Sequence, residues 1–472
     1  MALQTNKTIS VRDILEITKG ELIAGKEDSI CENFSKDTRQ IQKGDIYLGI
    51  KGETINGSIF WKEALEKEAK GVIIQDIEIN KEEIQNYPEA FIIRVKDVVL
   101  AMGQIASLKR SLYQIPVIAI TGSVGKTSTK DIVANVIAQK YKTLKTQGNY
   151  NNQIGLPLTI LGLKQEEALV VEMGMNHFGE IRYLTNIAKP SVVAITNIGT
   201  AHIGILGSRE NILKAKLEIL EGMQKGGTVV INNDNDLLHK WYETNKDKYH
   251  IITYGIKEPS DYMATQIILE EEKSTYQLHT KRQETQPIEV PVGGNHFVQN
   301  SLCAIAIGEC FHIPIKAIKE GISKFELTKK RMDISKLQNN ITIINDCYNA
   351  NLDSMKAAID YLGKLQEKRR IAVLGDMLEL GEFSEKLHRE VGKEVAKEKL
   401  DKLILVGKEA IYIGKQAEQE GIKKEDILYC QTNEEAAQII NQIKQENDVI
   451  LLKASNGMHF EEIIHKITTK CV

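Results

Sequence analysis

Residues 117–128 read VIAITGSVGKTS, and the rest of the chain is best interpreted from this segment. The apolar run Val117–Ile120 is typical of a short buried parallel strand, and the residues after Ser128 carry apolar side chains at helical spacing. In the turn between them, glycines let backbone N–H groups approach phosphate oxygens, and the helix N-terminus adds partial positive charge. Lys126 supplies an ammonium and the Thr127 hydroxyl can bind magnesium. The segment therefore predicts a site for the phosphates of a nucleotide.

The segment departs from the general phosphate-binding pattern G-x-x-x-x-G-K-[ST]. The first glycine of that pattern would fall at Ile120, and the chain has the shorter form G-x-x-G-K-T over Gly122–Thr127. A bare Gly-Lys-Thr turn can also begin a helix that binds no ligand. Its position between a strand and a helix favours nucleotide binding.

Composition and charge narrow the class of protein. A chain of 472 residues has room for about three domains of ~150 residues each. With 61 basic and 64 acidic residues the net charge is -3, which argues against nucleic acid as the main partner. The N-terminus lacks a signal-peptide core, and no run reaches the ~18 apolar residues that span a membrane, so we expect a cytoplasmic protein.

Strand-like and helix-like segments alternate along the chain, which predicts an α/β fold with mostly parallel sheets. Three domains are expected. Residues 1–112 form a small N-terminal α/β domain, residues 113–326 a central domain around the phosphate loop, and residues 327–472 a C-terminal Rossmann-like α/β domain.

Polar residues follow two of the predicted central strands, where ligands of parallel sheets usually bind. Glu172 comes directly after Ala168–Val171, and His202 follows Ser191–Ile195 by a few residues. Glu172 is either a solvated loop acid or a ligand for magnesium, and His202 is either a hydrogen-bonded polar side chain or a ligand. Further on, the spacing of Lys214 and Glu218 is that of an exposed i,i+4 ion pair on a helix.

Six motifs, weak one by one, together resemble the Mur ligase family over nearly the whole chain. They share their order and spacing with that family, and they are Thr121–Thr127, Gly148–Pro157, Glu172–Ile181, Lys214–Glu218, Asp346–Asn351 and Leu374–Gly381.

The resemblance implies a central ATP-binding domain flanked by an N-terminal domain for the UDP end of a substrate and by a C-terminal ligase domain. It implies an ATP-dependent amide ligase of peptidoglycan precursor synthesis, and hence of cell-wall formation, cell shape and division. The motifs are most like those of the member that adds D-alanyl-D-alanine to UDP-N-acetylmuramoyl-tripeptide through an acyl phosphate. Those two substrates, ATP and two magnesium ions are the implied ligands of a monomer that has no membrane span.

The resemblance also implies roles for individual residues. Lys126, Glu172, His202 and Lys216 are the implied catalytic set. Thr127 corresponds to the ligand of the first magnesium, Glu172 and His202 to ligands of the second, and Lys216 to a carbamylated lysine that acts as a metal ligand. The nucleotide residues are Gly122, Ser123, Val124, Gly125, Lys126, Thr127, Ser128, Asn300 at the adenine, and Arg331 and Asp346 at phosphate and ribose. The substrate residues are Asp37, Thr38 and Arg39 at the uridine, Asn151, Asn152 and Arg182 at the muramoyl-peptide, and Tyr348 and Asn349.

Several positions depart from the family pattern. Phe297 replaces Asn, Asn56-Gly57-Ser58 replaces Asp-Gly-His, Leu352 replaces Pro, and Asn456 replaces an arginine, so the contacts to the amine substrate do not carry over directly. Two alternatives stay open. One is the family member that adds the third amino acid, although its Asp-Asn-Pro-Arg signature is absent. The other is an adaptor that binds ATP and a wall precursor without joining anything.

Overall fold

The structure is a computed structural model that describes residues 7–270, 272–281, 285–327, 330–365 and 368–468. The chain divides into two compact units. The first comprises Met1–Thr121, Lys140–Val193 and Leu217–Thr228, and the second comprises Gly122–Gln139, Ala194–Lys216 and Val229–Val472. The strands of the central region fall in both units.

The N-terminal part of the first unit contains a five-stranded sheet. Its strand order is β2-β7-β6-β5-β4, in which only the edge strand β2 runs antiparallel to its neighbour. The strands and helices here are β1 (Ile9–Ser10), α1 (Val11–Thr18), β2 (Glu21–Ala24), β3 (Ile30–Cys31), β4 (Phe34–Ser35), β5 (Ile46–Leu48), α2 (Trp61–Glu66), β6 (Gly71–Ile74), α3 (Lys81–Ile84), β7 (Phe91–Arg94) and α4 (Val98–Ser111). The strands β5 and β6 are buried throughout, as expected for apolar runs between helices.

The central region alternates strands and helices. Its elements are β8 (Val117–Thr121), α5 (Lys126–Ile137), β9 (Thr143–Lys145), α6 (Gly155–Leu161), β10 (Ala168–Glu172), α7 (Glu180–Ala188), β11 (Val192–Ile195), α8 (Ile203–Leu206), α9 (Arg209–Leu217), β12 (Thr228–Asn232), α10 (Asp236–Asn245), β13 (His250–Gly255), β14 (Tyr262–Leu269), β15 (Ser274–Thr280), β16 (Thr285–Val290), α11 (Asn295–Cys310) and α12 (Ile315–Ser323).

Within the first unit, β10 pairs in parallel with both β8 and β9. Every residue of β8 and β10 is buried, so the residues at their carboxyl ends are held on a rigid support. Within the second unit, β14, β15 and β16 form an antiparallel meander.

The C-terminal part of the second unit is a six-stranded sheet of order β17-β18-β22-β19-β20-β21. Only β17 is antiparallel to its neighbour, so the predicted Rossmann-like pattern is confirmed. The elements are β17 (Asp333–Lys336), β18 (Thr342–Asn345), α13 (Leu352–Gly363), β19 (Arg370–Gly375), α14 (Ser384–Glu398), β20 (Lys402–Val406), α15 (Ile411–Gln419), β21 (Ile427–Cys430), α16 (Asn433–Ile443), β22 (Val449–Lys453) and α17 (Glu461–Thr468).

The α/β class with mostly parallel sheets is confirmed. Antiparallel pairs lie at the edges of the two terminal sheets, in the central meander and in the small two-stranded sheet of β1 and β3. Within the described ranges, every helix is too short or too polar to cross a membrane.

Candidate functional site

The phosphate loop Gly122–Thr127 is shaped by two glycines with positive φ and by hydrogen bonds to Asn197, the second residue after β11. Gly125 has φ 80° and begins α5, and Gly122 has φ 152°. The amides of Ser123 and Val124 donate to the backbone and side-chain oxygens of Asn197, at 3.0 and 2.9 Å. The Lys126 Nζ atom donates to the carbonyls of Gly122, at 2.8 Å, and Ser123, at 3.3 Å. The ammonium is thus folded over the loop that would surround a phosphate.

Asn300 of α11 packs against this loop. A Cβ atom added at Gly125 would lie 3.1 Å from the Asn300 Oδ1 atom. The Nδ2 atom of Asn300 is buried and has no hydrogen-bond partner among the described residues. A buried amide donor requires an acceptor, and a ring nitrogen of a nucleotide base is a suitable one. The loop and Asn300 therefore fit a nucleotide.

His202 and Lys216 lie near Lys126, and both side chains are largely buried. Burial and the Lys126 ammonium lower the pKa of Lys216 well below its usual range. Burial, followed by the charges of Lys126 and Lys216, lowers the pKa of His202, and Glu379 opposes this shift. The His202 Nδ1 atom lies 3.1 Å from the Glu379 Oε2 atom. Neutral imidazole is the form that binds a metal, and a neutral amine is the form that reacts as a nucleophile.

In the first unit, Glu172 ends the buried strand β10 and is almost inaccessible to solvent. Its amide donates to the Thr146 Oγ1 atom at 3.0 Å, and its carboxylate accepts a hydrogen bond from the Asn151 Nδ2 atom at 2.7 Å. The side chain of Asn152 instead accepts from the amides of Ile154 and Gly155. Asn151 thus lies beside the predicted metal ligand Glu172, whereas the Asn152 side chain accepts hydrogen bonds from amides at the start of α6.

The side chains of Arg182 and Glu218 lie close to each other in the first unit, and each forms hydrogen bonds. The Arg182 guanidinium donates to both carboxylate oxygens of Glu221, at 2.5 and 3.0 Å, and remains half exposed. Glu218 is buried and accepts the amide of Gly179 at 2.8 Å. The pair of Glu218 with Lys214 suggested by their spacing is therefore wrong as an account of Glu218, because its carboxylate caps the start of α7.

The predicted uridine residues follow β4. Asp37 accepts hydrogen bonds from the Arg39 side chain at 2.9 and 2.7 Å and from its amide at 3.0 Å. These bonds lower the pKa of Asp37 to about 2. Thr38 begins a short 3-10 turn, Thr38–Gln40, which contains Arg39 and has Asp37 as its N-cap. Arg39 is exposed, so its guanidinium is accessible to a ligand.

The predicted C-terminal residues gather where β18 and β22 end. The Arg331 guanidinium lies 3.7 Å from the centre of the Tyr348 ring, and its buried Nε atom has no hydrogen-bond partner in the described part of the chain. Asp346 forms an ion pair with the buried Lys453, and the Lys453 Nζ atom also donates to the Asn349 carbonyl at 3.2 Å. Arg331, Asp346, Tyr348 and Asn349 are therefore one cluster.

The sequence interpretation missed three residues of this unit: Lys453, Asp353 and Glu379. Lys453 directly follows a predicted strand, and Glu379 lies in a quoted motif, so position was an available signal for both. Nothing local distinguishes Asp353 from any acid in the first turn of a helix. Among the described residues, no three His, Cys, Asp or Glu side chains form a metal-binding group. The predicted magnesium ligands contain only two side chains of these types, Glu172 and His202, so the lack of a group of three among the described residues does not test them.

Comparison with known proteins gives consistent matches over the three parts of the chain. Residues 33–110 match the model described as the Mur ligase family, catalytic domain. Residues 120–308 match the Mur ligase middle domain, and residues 330–456 match the Mur ligase glutamate ligase domain. A relative from Bacillus subtilis (strain 168), named UDP-N-acetylmuramoyl-tripeptide–D-alanyl-D-alanine ligase, is 34% identical, with 96% of this chain and 97% of the relative covered.

Solved structures agree with these matches. A crystal structure of MurF from Acinetobacter baumannii superposes with a TM-score of 0.86 at 30% identity, covering 98% of this chain and 99% of the other. MurF ligase from Thermotoga maritima, in complex with ADP, gives a TM-score of 0.79 at 26% identity, covering 93% and 97%. The similarity extends over whole chains, and the predicted three-domain α/β fold is confirmed. The chain belongs to the Mur ligase family.

Proposed function

We propose that this protein is an ATP-dependent amide ligase that joins D-alanyl-D-alanine to UDP-N-acetylmuramoyl-tripeptide in peptidoglycan precursor synthesis. The observation that carries the proposal is the phosphate loop with the unpartnered Asn300 amide packed against it, in a chain that matches ligases of this name along nearly its full length.

The chemistry requires activation of a carboxylate, which is a poor acyl donor. Transfer of the γ-phosphoryl group to the tripeptide carboxylate supplies a phosphate leaving group, and the amine of D-alanyl-D-alanine then attacks the acyl carbon. Lys126 and the amides of Gly122–Ser128 hold the phosphates, Asn300 contacts the adenine, and Arg331 and Asp346 contact phosphate and ribose.

Two magnesium ions complete the proposed site. We propose that Thr127 would be a ligand of the first ion, and that Glu172 and His202 would be ligands of the second. Bound magnesium neutralises charge, which lets a carboxylate approach a phosphate. Thr127 and Glu172 are oxygen donors that suit magnesium, and a lowered pKa leaves His202 neutral and able to bind a metal.

We further propose that Lys216 is carbamylated. In carbamylation an uncharged amine attacks carbon dioxide, a C–N bond forms and a proton is released; burial beside Lys126 favours the uncharged amine. The product is an anion, which replaces an isolated buried amine by a carboxylate-like metal ligand close to the Lys126 ammonium.

The remaining assignments follow the same proposal. Asp37, Thr38 and Arg39 receive the uridine nucleotide, Asn151, Asn152 and Arg182 face the muramoyl-peptide, and Tyr348 and Asn349 contact substrate. The corresponding domains are residues 1–112, 113–326 and 327–472, and the family-model matches at residues 33–110, 120–308 and 330–456 support this division. We propose that the protein works as a monomer in the cytoplasm, where ATP and the UDP-linked precursor are present.

Phosphate release tests the proposal. Release should require ATP, magnesium, UDP-N-acetylmuramoyl-tripeptide and D-alanyl-D-alanine together, and the product should gain the mass of the dipeptide. A panel with lysine or diaminopimelate as the third residue identifies the preferred acceptor. Turnover that is equal with D-alanine alone would disprove the assignment of the amine substrate, and no release with any combination would indicate an adaptor.

A further inference from the structure

The segment Asn197–Leu206, which ends with the short helix α8 and which we call the relay loop, is hydrogen-bonded on one side to the phosphate loop. Asn197 accepts the amides of Ser123 and Val124, as described above. The Gly199 amide in turn donates to the Ser123 Oγ atom at 2.9 Å. The phosphate loop and the relay loop are therefore joined by at least three hydrogen bonds.

On its other side the relay loop meets two carboxylates from the C-terminal part of the same unit. The Asp353 Oδ2 atom accepts hydrogen bonds from the Thr200 amide at 2.8 Å and from the Thr200 hydroxyl at 3.1 Å. The Glu379 Oε2 atom lies 3.1 Å from His202 Nδ1. The relay loop is thus held between the phosphate loop and two acids that are distant in sequence.

Both acids project from well-supported backbone. Asp353 lies in the first turn of α13, whose N-terminus is closed by reciprocal hydrogen bonds between Asn351 and Ser354. Glu379 lies in the turn after β19, where the neighbouring Leu378 amide donates to the Ser455 Oγ atom at 2.9 Å. Supports of this kind fix a carboxylate well enough to orient a neighbouring group.

The relay loop also packs closely against the C-terminal part at two of its glycines, Gly199 and Gly204. A Cβ atom at Gly199 would overlap the Asp353 carboxylate. A Cβ atom at Gly204 would lie 2.6 Å from the Leu380 carbonyl carbon and 2.7 Å from the Gly381 amide nitrogen. Side chains larger than hydrogen at these two places would separate the relay loop from the C-terminal part.

We propose that Asp353 and Glu379 are positioning residues that couple nucleotide binding in the phosphate loop to the placement of His202. Both acids act through their contacts to Thr200 and His202 of the relay loop. The inference rests on the proposed function, since it gives the phosphate loop a nucleotide to bind. Because coupling between two sites is reciprocal, loss of either carboxylate weakens nucleotide binding, and nucleotide binding protects the turn that carries Glu379.

Calorimetric titration with magnesium ADP tests the first consequence. Asp353→Ala and Glu379→Ala should each raise the Kd for ADP about tenfold, within the roughly 5- to 150-fold range of such couplings. Asp353→Asn and Glu379→Gln keep a hydrogen-bond acceptor and should restore most of the affinity. Gly204→Ala, which removes no charge, should weaken binding as well. Asp360→Ala on the same helix and Glu382→Ala beyond the turn are matched controls that should bind as the unchanged protein does.

Amide hydrogen exchange tests the second consequence. Magnesium ADP should slow exchange at residues 378–383 in the unchanged protein and leave it unaltered in the two alanine variants. Unchanged Kd values together with undiminished protection in both alanine variants would overturn the inference. Equal loss in the conservative variants would also overturn it, because they retain the acceptor. Failure of the unchanged protein to bind ADP would instead contradict the proposed function.

Discussion

Lys216 is buried on α9, close to the cationic side chain of Lys126. Burial and this neighbouring charge both destabilise the ammonium form of Lys216. A simple amine there would be a costly group with no evident purpose. The proposed carbamylation would resolve the conflict, because it would convert the side chain to an anion near Lys126.

Lys216→Ala should therefore lower ligation by at least about 100-fold, and added short carboxylates such as acetate or formate should restore part of the activity by occupying the space of the carbamate. Initial rates with and without the acid measure the rescue. Lys214→Ala is the matched control, since Lys214 lies on the same helix and is exposed. Full activity of the Lys216 variant without added carboxylate would remove this residue from the metal site.

His296 gives a prediction for stability against pH. Burial is the main reason that its pKa falls to about 4 from 6.5. Between these values the unfolded chain takes up a proton that the folded protein does not, so the stabilisation is present above pH 6.5 and is lost as the pH falls toward 4. The cost is up to about 1.4 kcal/mol for each pH unit.

The measurement compares urea unfolding midpoints of the unchanged protein and of His296→Gln at pH 7.5 and pH 5. The advantage of the unchanged protein should shrink or reverse at the lower pH. A difference for His296→Gln that does not vary with pH would contradict the prediction.

At the scale of elements, the succession of β8, phosphate loop and α5 was predictable because its sequence signals are local. A buried apolar run, two glycines and a helical period all lie within residues 117–137. The hydrogen bond from Val124 to Asn197 was not predictable, since it joins residues 73 positions apart. The same holds for Asp353 and Thr200, at a separation of 153. For Glu218 the local signal was misleading. The i,i+4 spacing suggested Lys214 as its partner, whereas in the structure the Glu218 carboxylate accepts a hydrogen bond from the Gly179 amide.

Gly125→Ala tests the role of the phosphate loop as an element. The residue has φ 80° and faces Asn300, so alanine would strain the backbone by about 1–2 kcal/mol and crowd the proposed adenine contact. We expect a lower melting temperature and an ADP affinity reduced by at least tenfold.

Gly226→Ala is the control for backbone strain alone, because Gly226 has φ 79° and no atom within 4 Å of an added Cβ. It should lower the melting temperature and leave the ADP affinity unchanged. If both variants lose affinity equally, strain and not the loop geometry explains the effect.

For the whole molecule, the predicted ranges 1–112, 113–326 and 327–472 and the two compact units divide the chain differently. The unit boundaries fall inside the predicted central range, at Thr121 and Gly122 and again at Val193 and Ala194. Sequence motifs mark which residues share a function, whereas compact units depend on which residues pack together. The first kind of information was available from the sequence, and the second was not.

Ligand-induced stabilisation gives a prediction for the molecule as a whole. Magnesium ADP and the UDP-tripeptide should each raise the melting temperature, because a ligand at 100 times its Kd stabilises the folded state by about 2.7 kcal/mol. D-alanyl-D-alanine alone should produce no shift, since in the order that we propose this dipeptide binds after the UDP-tripeptide and attacks only once the tripeptide carboxylate is activated. Differential scanning fluorimetry measures all three. Lys126→Ala should abolish the shift with ADP and keep the shift with the UDP-tripeptide, which binds through Asp37–Arg39 in the proposed assignment. A shift with D-alanyl-D-alanine alone as large as that with ADP would contradict the proposed order, because it would require an amine site that forms before either of the other ligands has bound.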